Sequence, residues 1–252
     1  MNLILLALAA FPNDSGPIYQ ETIAGRFPVE PYNTFSNFLF LAIVIYFSVK
    51  VYGNYRQQRF LAFSLPVIFL GFIGGTVYHA TRSHPFWLYL DWVPIMLLCF
   101  AVSIYFILKV DLKKRKKAAM ITVVLLLIFG TKFLPWSPKI ENSAEYIGTS
   151  LGLLLPLVVY LIRTHFRFSK YIFLAFGSFG VAITFRTLDR FLYFLPMGTH
   201  WLWHSFGALA VFFLVKYIYL DKEAETREEW KTADFSASAP ESKYVKNQRV
   251  KE

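Results

Sequence analysis

Cysteine, acidic side chains and internal repetition are all scarce in this sequence, and each scarcity removes a class of protein. One cysteine, Cys99, stands among 252 residues, inside an apolar run. It excludes an intramolecular disulfide and a cysteine-based metal cluster. Asp and Glu number 16 against 26 Lys and Arg, for a net charge of +10. The basic residues lie between the apolar runs and in the tail, which is how a membrane protein displays charge and not how a nucleic-acid surface does. There is no internal repeat and no low-complexity tract. The lack of repeated halves with paired broken helices argues against a transporter.

Apolar residues are what the chain has in abundance. They make up 56% of it, with 19% aromatic and 27 Phe, and the mean hydropathy of +0.45 is too high for an ordinary soluble domain. Apolar runs of roughly 17–25 residues recur, each long enough to cross ~30 Å of hydrocarbon as a helix. The expected fold is an all-α integral membrane protein, a seven-transmembrane helix bundle. Its spans fall near Asn33–Val51, Phe60–Arg82, Phe86–Leu108, Ala118–Leu134, Ala144–Ile162, Tyr171–Phe191 and Gly198–Leu220.

Three regions follow: an extracytoplasmic segment 1–32, the membrane domain 33–220, and a charged tail 221–252 expected to be disordered. Residues 1–11, MNLILLALAAF, are too short to span and read either as the core of a signal peptide or as an interfacial segment. Residues 12–32 are polar and turn-rich, a loop outside the bilayer. Lys50, Arg56 and Arg59 follow the first span, Lys109 and Lys113 to Lys117 the third, and Arg163, Arg167 and Lys170 the fifth. That excess puts the odd loops and the C-terminus in the cytoplasm and the N-terminus outside. Asn13-Asp14-Ser15 is then an outward-facing glycosylation acceptor pattern.

Ionisable groups at membrane depth are costly and are functional candidates by default. The second span ends in GGTVYHATR with His79, the third begins FWLYLDWVP with Asp91, and the seventh begins GTHWLWHSF with His200 and His204. His200 and His204 are four apart, so a helix projects both imidazoles from one face. Alternating span directions bring all four groups within roughly 10 Å of the outer boundary, at 1.5 Å rise per residue. Three histidines leaving a fourth position open is the arrangement of a catalytic zinc site. Asp91 is placed to orient a water or take its proton. The competing structural reading makes His79 a helix cap, His200 and His204 part of an aromatic belt with Trp201 and Trp203, and Asp91 a partner of Arg186 or Arg190. His84, beside Pro85, is expected in solvent, and His165 lies on the cytoplasmic side.

The stretches EPYNTFSN (Glu30 to Asn37), YHAT at His79, LDWVP around Asp91 and HWLWH at His200 to His204 resemble the alkaline ceramidase family. Those seven-helix enzymes belong to a superfamily that also holds progestin and adiponectin receptor-type and hemolysin III-like proteins. The resemblance covers most of Glu21 to Leu220. It implies zinc on His79, His200 and His204, a water contact for Asp91, and hydrolysis of the amide of a ceramide-like lipid drawn from the bilayer. Where the family has a serine one turn before its first histidine, this chain has Gly75, and Thr76 is the nearest hydroxyl. Thr76 reads either as a hydrogen-bond donor to the substrate carbonyl or as a packing residue. The family's acidic calcium loop is thinned here to Glu21 and Glu30, with Asp14 and Asn33 as further oxygen donors. Two rival functions stay open: an ester-cleaving lipid hydrolase with the same zinc, and a seven-helix receptor or lipid-binding protein whose zinc is structural.

Overall fold

Gly74 decides where the third and fourth helices meet. The computed structural model describes residues 11–136, 141–189, 191–192 and 195–238, with backbone alone at 132, 141–143 and 229–238. Its described elements are helical, without strands: α1 (Pro31–Ser36), α2 (Phe38–Tyr52), α3 (Arg59–Thr81), α4 (Pro85–Lys109), α5 (Lys114–Phe129), a 3-10 turn (Gly130–Phe133), α6 (Glu141–Arg163), α7 (Ser169–Leu188) and α8 (His200–Ser238). At Gly74 an added Cβ would collide with the backbone of Leu90 and Asp91, so α3 and α4 approach backbone to backbone there. That crossing lays Asp91 against the helix that carries His79.

Helix starts and stops follow local chemistry. Pro31 opens α1, where its missing N–H costs nothing. The Glu21 carboxylate accepts from the next two N–H groups, Tyr32 at 2.9 Å and Asn33 at 2.6 Å. The His84 ring accepts from Phe86 N–H at 3.0 Å, so this exposed histidine begins α4. Asp189 caps α8 from a distance, its Oδ1 accepting from Thr199 N–H at 2.6 Å and His200 N–H at 3.0 Å. α3 ends on Arg82, in the left-handed region at φ 47.

Six helices are long and apolar enough to cross a membrane, counting α1 and α2 as one stretch, Pro31–Tyr52. This is the pattern of a multi-pass membrane protein. Phe63, Val49, Leu97, Leu126 and Phe173 face outward, as lipid-contacting side chains do, while Phe47, Leu65, Phe106, Leu157 and Tyr217 fill the interior. α7 lies along α8, α3 along α4, and α6 between α4 and α5.

Two expectations change. The expected fourth span, Ala118–Leu134, yields α5, whose 16 residues rise only about 24 Å. Its first turn is Lys114 to Lys117, and its apolar part breaks into the 3-10 turn at Gly130. The expected tail is helical as far as Ser238, and acids in its first turns have partners. Asp221 meets Lys109 at 2.5 Å and Arg167 at 3.1 Å, and Glu225 meets Lys109 at 2.7 Å. Residues 239–252, Arg190, and the signal-peptide reading of 1–11 except Phe11 lie outside the described residues.

Candidate metal centre

His79 is at the end of α3, and His200 and His204 are in the first turns of α8. Their ring centroids are 4.7 to 5.5 Å apart, and one ligand nitrogen from each lies within 4.8 Å of the others. All three side chains are buried. A tetrahedral ion with Zn–N bonds of about 2.05 Å would draw such nitrogens to about 3.4 Å of one another.

The hydrogen bonds fix which nitrogen faces the centre. His79 Nδ1 lies 2.5 Å from Oε2 of Glu30. His204 Nδ1 lies 3.1 Å from the Asn33 carbonyl and 2.9 Å from the Ser36 hydroxyl, which itself donates to Asn33 O at 3.0 Å. A carbonyl and a carboxylate only accept, so Nδ1 carries the proton in both rings and Nε2 carries the lone pair. His79 Nε2 is buried with no hydrogen-bond partner among the described residues. An orphaned buried lone pair is costly, and a cation held by three imidazoles is what this donor set fits.

Glu30 is the hub of the surroundings. It is fully buried, and besides His79 it accepts from Thr22 at 2.6 Å, Asn33 Nδ2 at 3.2 Å and Arg82 at 2.7 Å. Burial alone would raise its carboxyl, but the His79 contact, the Thr22 hydroxyl and the Arg82 charge hold it down to about 2. Arg82 is itself fully buried and also grips Asp14 through two bonds, at 2.7 and 2.8 Å.

The residues of the expected calcium loop are engaged within the chain. One guanidinium, that of Arg82, pairs with both Glu30 and Asp14, and Glu21 accepts from two N–H groups of α1. Calcium wants six to eight oxygens, and here a cation of the chain itself stands among the carboxylates. Asn33, the other expected oxygen donor, gives its side-chain N–H to Glu30, while its Oδ1 is buried with no partner among the described residues.

Asp91 makes no close ion pair or hydrogen bond among the described residues, although the Arg186 charge acts on it from a distance. A Cβ added to Gly75 would meet Asp91 Oδ1 at 2.5 Å and Asn37 Oδ1 at 2.8 Å. The space a larger side chain would take beside the centre therefore holds two oxygens. The Thr76 hydroxyl is buried with no partner among the described residues. Tyr19 stacks on the His200 ring at 3.9 Å and 25°, so the segment before α1 lies over the histidines. Burial pushes its phenol well above the usual range, with Arg186 the strongest charge opposing. His84 stands away from this group in the helix start described above, and the helix-cap reading of His79 fails because Arg82 ends α3.

Sequence reasoning missed Glu30 as a histidine partner, Arg82 as its anchor, and the contacts of Ser36 and Asn37. The signal was present in EPYNTFSN, whose polar residues fall at the mouth of an apolar helix. No family model matches the chain, and no curated protein matches it.

Proposed function

We propose that the protein is a zinc-dependent intramembrane hydrolase that cleaves the acyl amide of a ceramide-like lipid. The observation that carries this reading is the buried, unpartnered Nε2 of His79 beside two further imidazoles, with the outer nitrogens of His79 and His204 already committed. His79, His200 and His204 would hold the ion, which when bound would supply a Lewis acid to acidify water and polarise a carbonyl. Asp91 accepts the proton of the attacking water and passes it to the amide nitrogen as the carbon–nitrogen bond breaks. Thr76 donates its hydroxyl hydrogen to the carbonyl oxygen as charge develops there. Glu30 holds His79 in register.

In this reading α5 with its 3-10 extension is the fourth span and completes a set of seven, since four 3-10 residues add about 8 Å. The basic loops place the C-terminus in the cytoplasm and the histidines near the outer or lumenal face. One observation favours a second reading: Tyr19 closes over His200, as a cover would in a receptor or lipid-binding protein with structural zinc. Purified protein, with and without a chelator, incubated with a ceramide and an ester of matched acyl chain, separates the readings through released fatty acid. Chelator-sensitive release from the ceramide supports the amidohydrolase. Release from the ester alone transfers the site to an ester hydrolase, and no release from either supports the receptor.

A further inference from the structure

Arg186 lies near the end of α7, inside a stretch apolar enough to span a membrane. Among the described residues its guanidinium has neither an ion-pair partner nor a hydrogen bond. It lies instead between two ring faces, 4.7 Å from the centroid of Tyr146 and 5.1 Å from that of Trp203. The contrast with the other cations drawn into the bundle is sharp. Arg82 holds Asp14 and Glu30, Lys109 holds Asp221 and Glu225, and Arg167 holds Asp221 and Glu228. Two ring faces and the more distant Asp91 carboxylate offset only part of the cost of a charge with no close ion pair at membrane depth.

Its position gives that charge a use. Trp203 immediately precedes His204 and follows His200 by three residues, so the ring under Arg186 belongs to the turn that carries both histidines. The guanidinium therefore borders the metal centre without touching it. A carboxylate freed by acyl cleavage would form at the histidines, whereas Arg186 lies across the Trp203 ring, where a different part of the lipid would rest. Its planar fork of donors matches the paired oxygens of a phosphate or sulfate. The aromatic walls and the membrane depth favour a lipid-borne anion over a free one.

We propose that Arg186 receives the phosphate or sulfate head group of the lipid that the metal centre acts on. The substrate class is then an acyl lipid with an anionic head group. The word substrate rests on the hydrolase reading above; the binding does not.

Binding of fluorescent ceramide 1-phosphate and of the matching ceramide to detergent-purified protein tests this, with and without prior chelator treatment. The wild type should bind the phosphorylated lipid about 10- to 100-fold more tightly, the worth of a charge-assisted hydrogen bond. Arg186→Gln should erase that preference while leaving ceramide binding unchanged, and Arg186→Lys should keep part of it. Inorganic phosphate at millimolar concentration should not compete; full competition would reassign the site to free phosphate and overturn the lipid assignment. Equal binding of the two lipids by the wild type overturns the proposal, even if Arg186→Gln fails to fold. So does a preference that survives in folded Arg186→Gln. Intact preference without turnover of any lipid sinks the hydrolase reading alone, and turnover without preference sinks this inference alone.

Discussion

The Glu30 carboxylate lies 2.5 Å from Nδ1 of His79, with both side chains fully buried, and so joins the N-terminal segment to the candidate metal centre. The bond fixes the imidazole in the tautomer that leaves Nε2 free to bind metal, and it keeps the ring from turning. Glu30→Gln keeps the size of the side chain and removes its charge. It should weaken zinc binding about 10- to 100-fold, the usual effect of losing such a carboxylate. Competition for zinc against a chromogenic chelator measures this, and unchanged affinity would reduce Glu30 to a partner of Arg82.

The ligands themselves make a sharper test. Purified protein should carry about one zinc per chain, as three histidines with an open position hold one ion. His200→Ala and His204→Ala should each lose it, while His84→Ala should keep it, because His84 begins α4 in solvent. Elemental analysis after dialysis decides the matter. Full retention in both α8 variants refutes the ligand set.

How much of this was legible beforehand varies with the residue. Hydropathy alone placed His79, Asp91, His200 and His204 at helix ends, and the structure brings the three imidazoles together at the junction of α3 and α8. Length was less legible at α5, where the apolar run looked continuous but Gly130 turns its end into a 3-10 stretch. Arg82 was invisible because its role depends on Asp14, 68 residues away, and on Glu30. Charge pairs at such separation leave no periodic trace in a sequence. The tail shows the same limit: DKEAETREEW reads as solvated, and only the packing of α8 shows Asp221 buried between Lys109 and Arg167.

Arg82 should matter to folding more than any other cation at this end of the bundle. Removing one partner of a buried ion pair costs about 3–5 kcal/mol, since the other charge stays behind. Arg82→Ala strands two buried carboxylates and should lower the melting temperature by about 10 °C. Calcium should not raise the melting temperature of the wild type, nor EGTA lower it, since the guanidinium occupies the place among the carboxylates. A calcium-dependent rise in the wild type would restore a calcium site. Thermal melts in detergent, scanned in both conditions, measure each effect.

The orientation inferred from the basic loops has a direct measurement. In a Cys99→Ser background, Lys114→Cys should react with membrane-impermeant thiol reagents only after the membrane is opened. Ser15→Cys should react in right-side-out vesicles. The reverse pattern would turn the histidines toward the cytoplasm.

The chemistry is tested where Gly75, Asp91 and Thr76 meet. Asp91→Asn should abolish turnover while leaving most of the zinc, since an amide cannot accept the proton and Asp91 is outside the ligand set. Gly75→Ala probes the same group from the other side. Its Cβ would lie 2.5 Å from Asp91 Oδ1 and 2.8 Å from Asn37 Oδ1, closer than any of these atoms tolerate, so the carboxylate must shift. A displacement near 1 Å at a reacting group costs about 100-fold in rate. Gly75→Ala should therefore lower kcat by about that factor, with zinc content retained. Thr76→Val should slow turnover by about 10²–10³ if the hydroxyl binds the developing oxyanion, and far less if it only packs. Because the Thr76 hydroxyl is buried without a partner among the described residues, its removal should not destabilise the fold. A slow, fully folded, zinc-loaded Thr76→Val protein would thus assign the donor. Wild-type rates in Thr76→Val and Gly75→Ala together would move the reacting carbonyl away from this turn of α3.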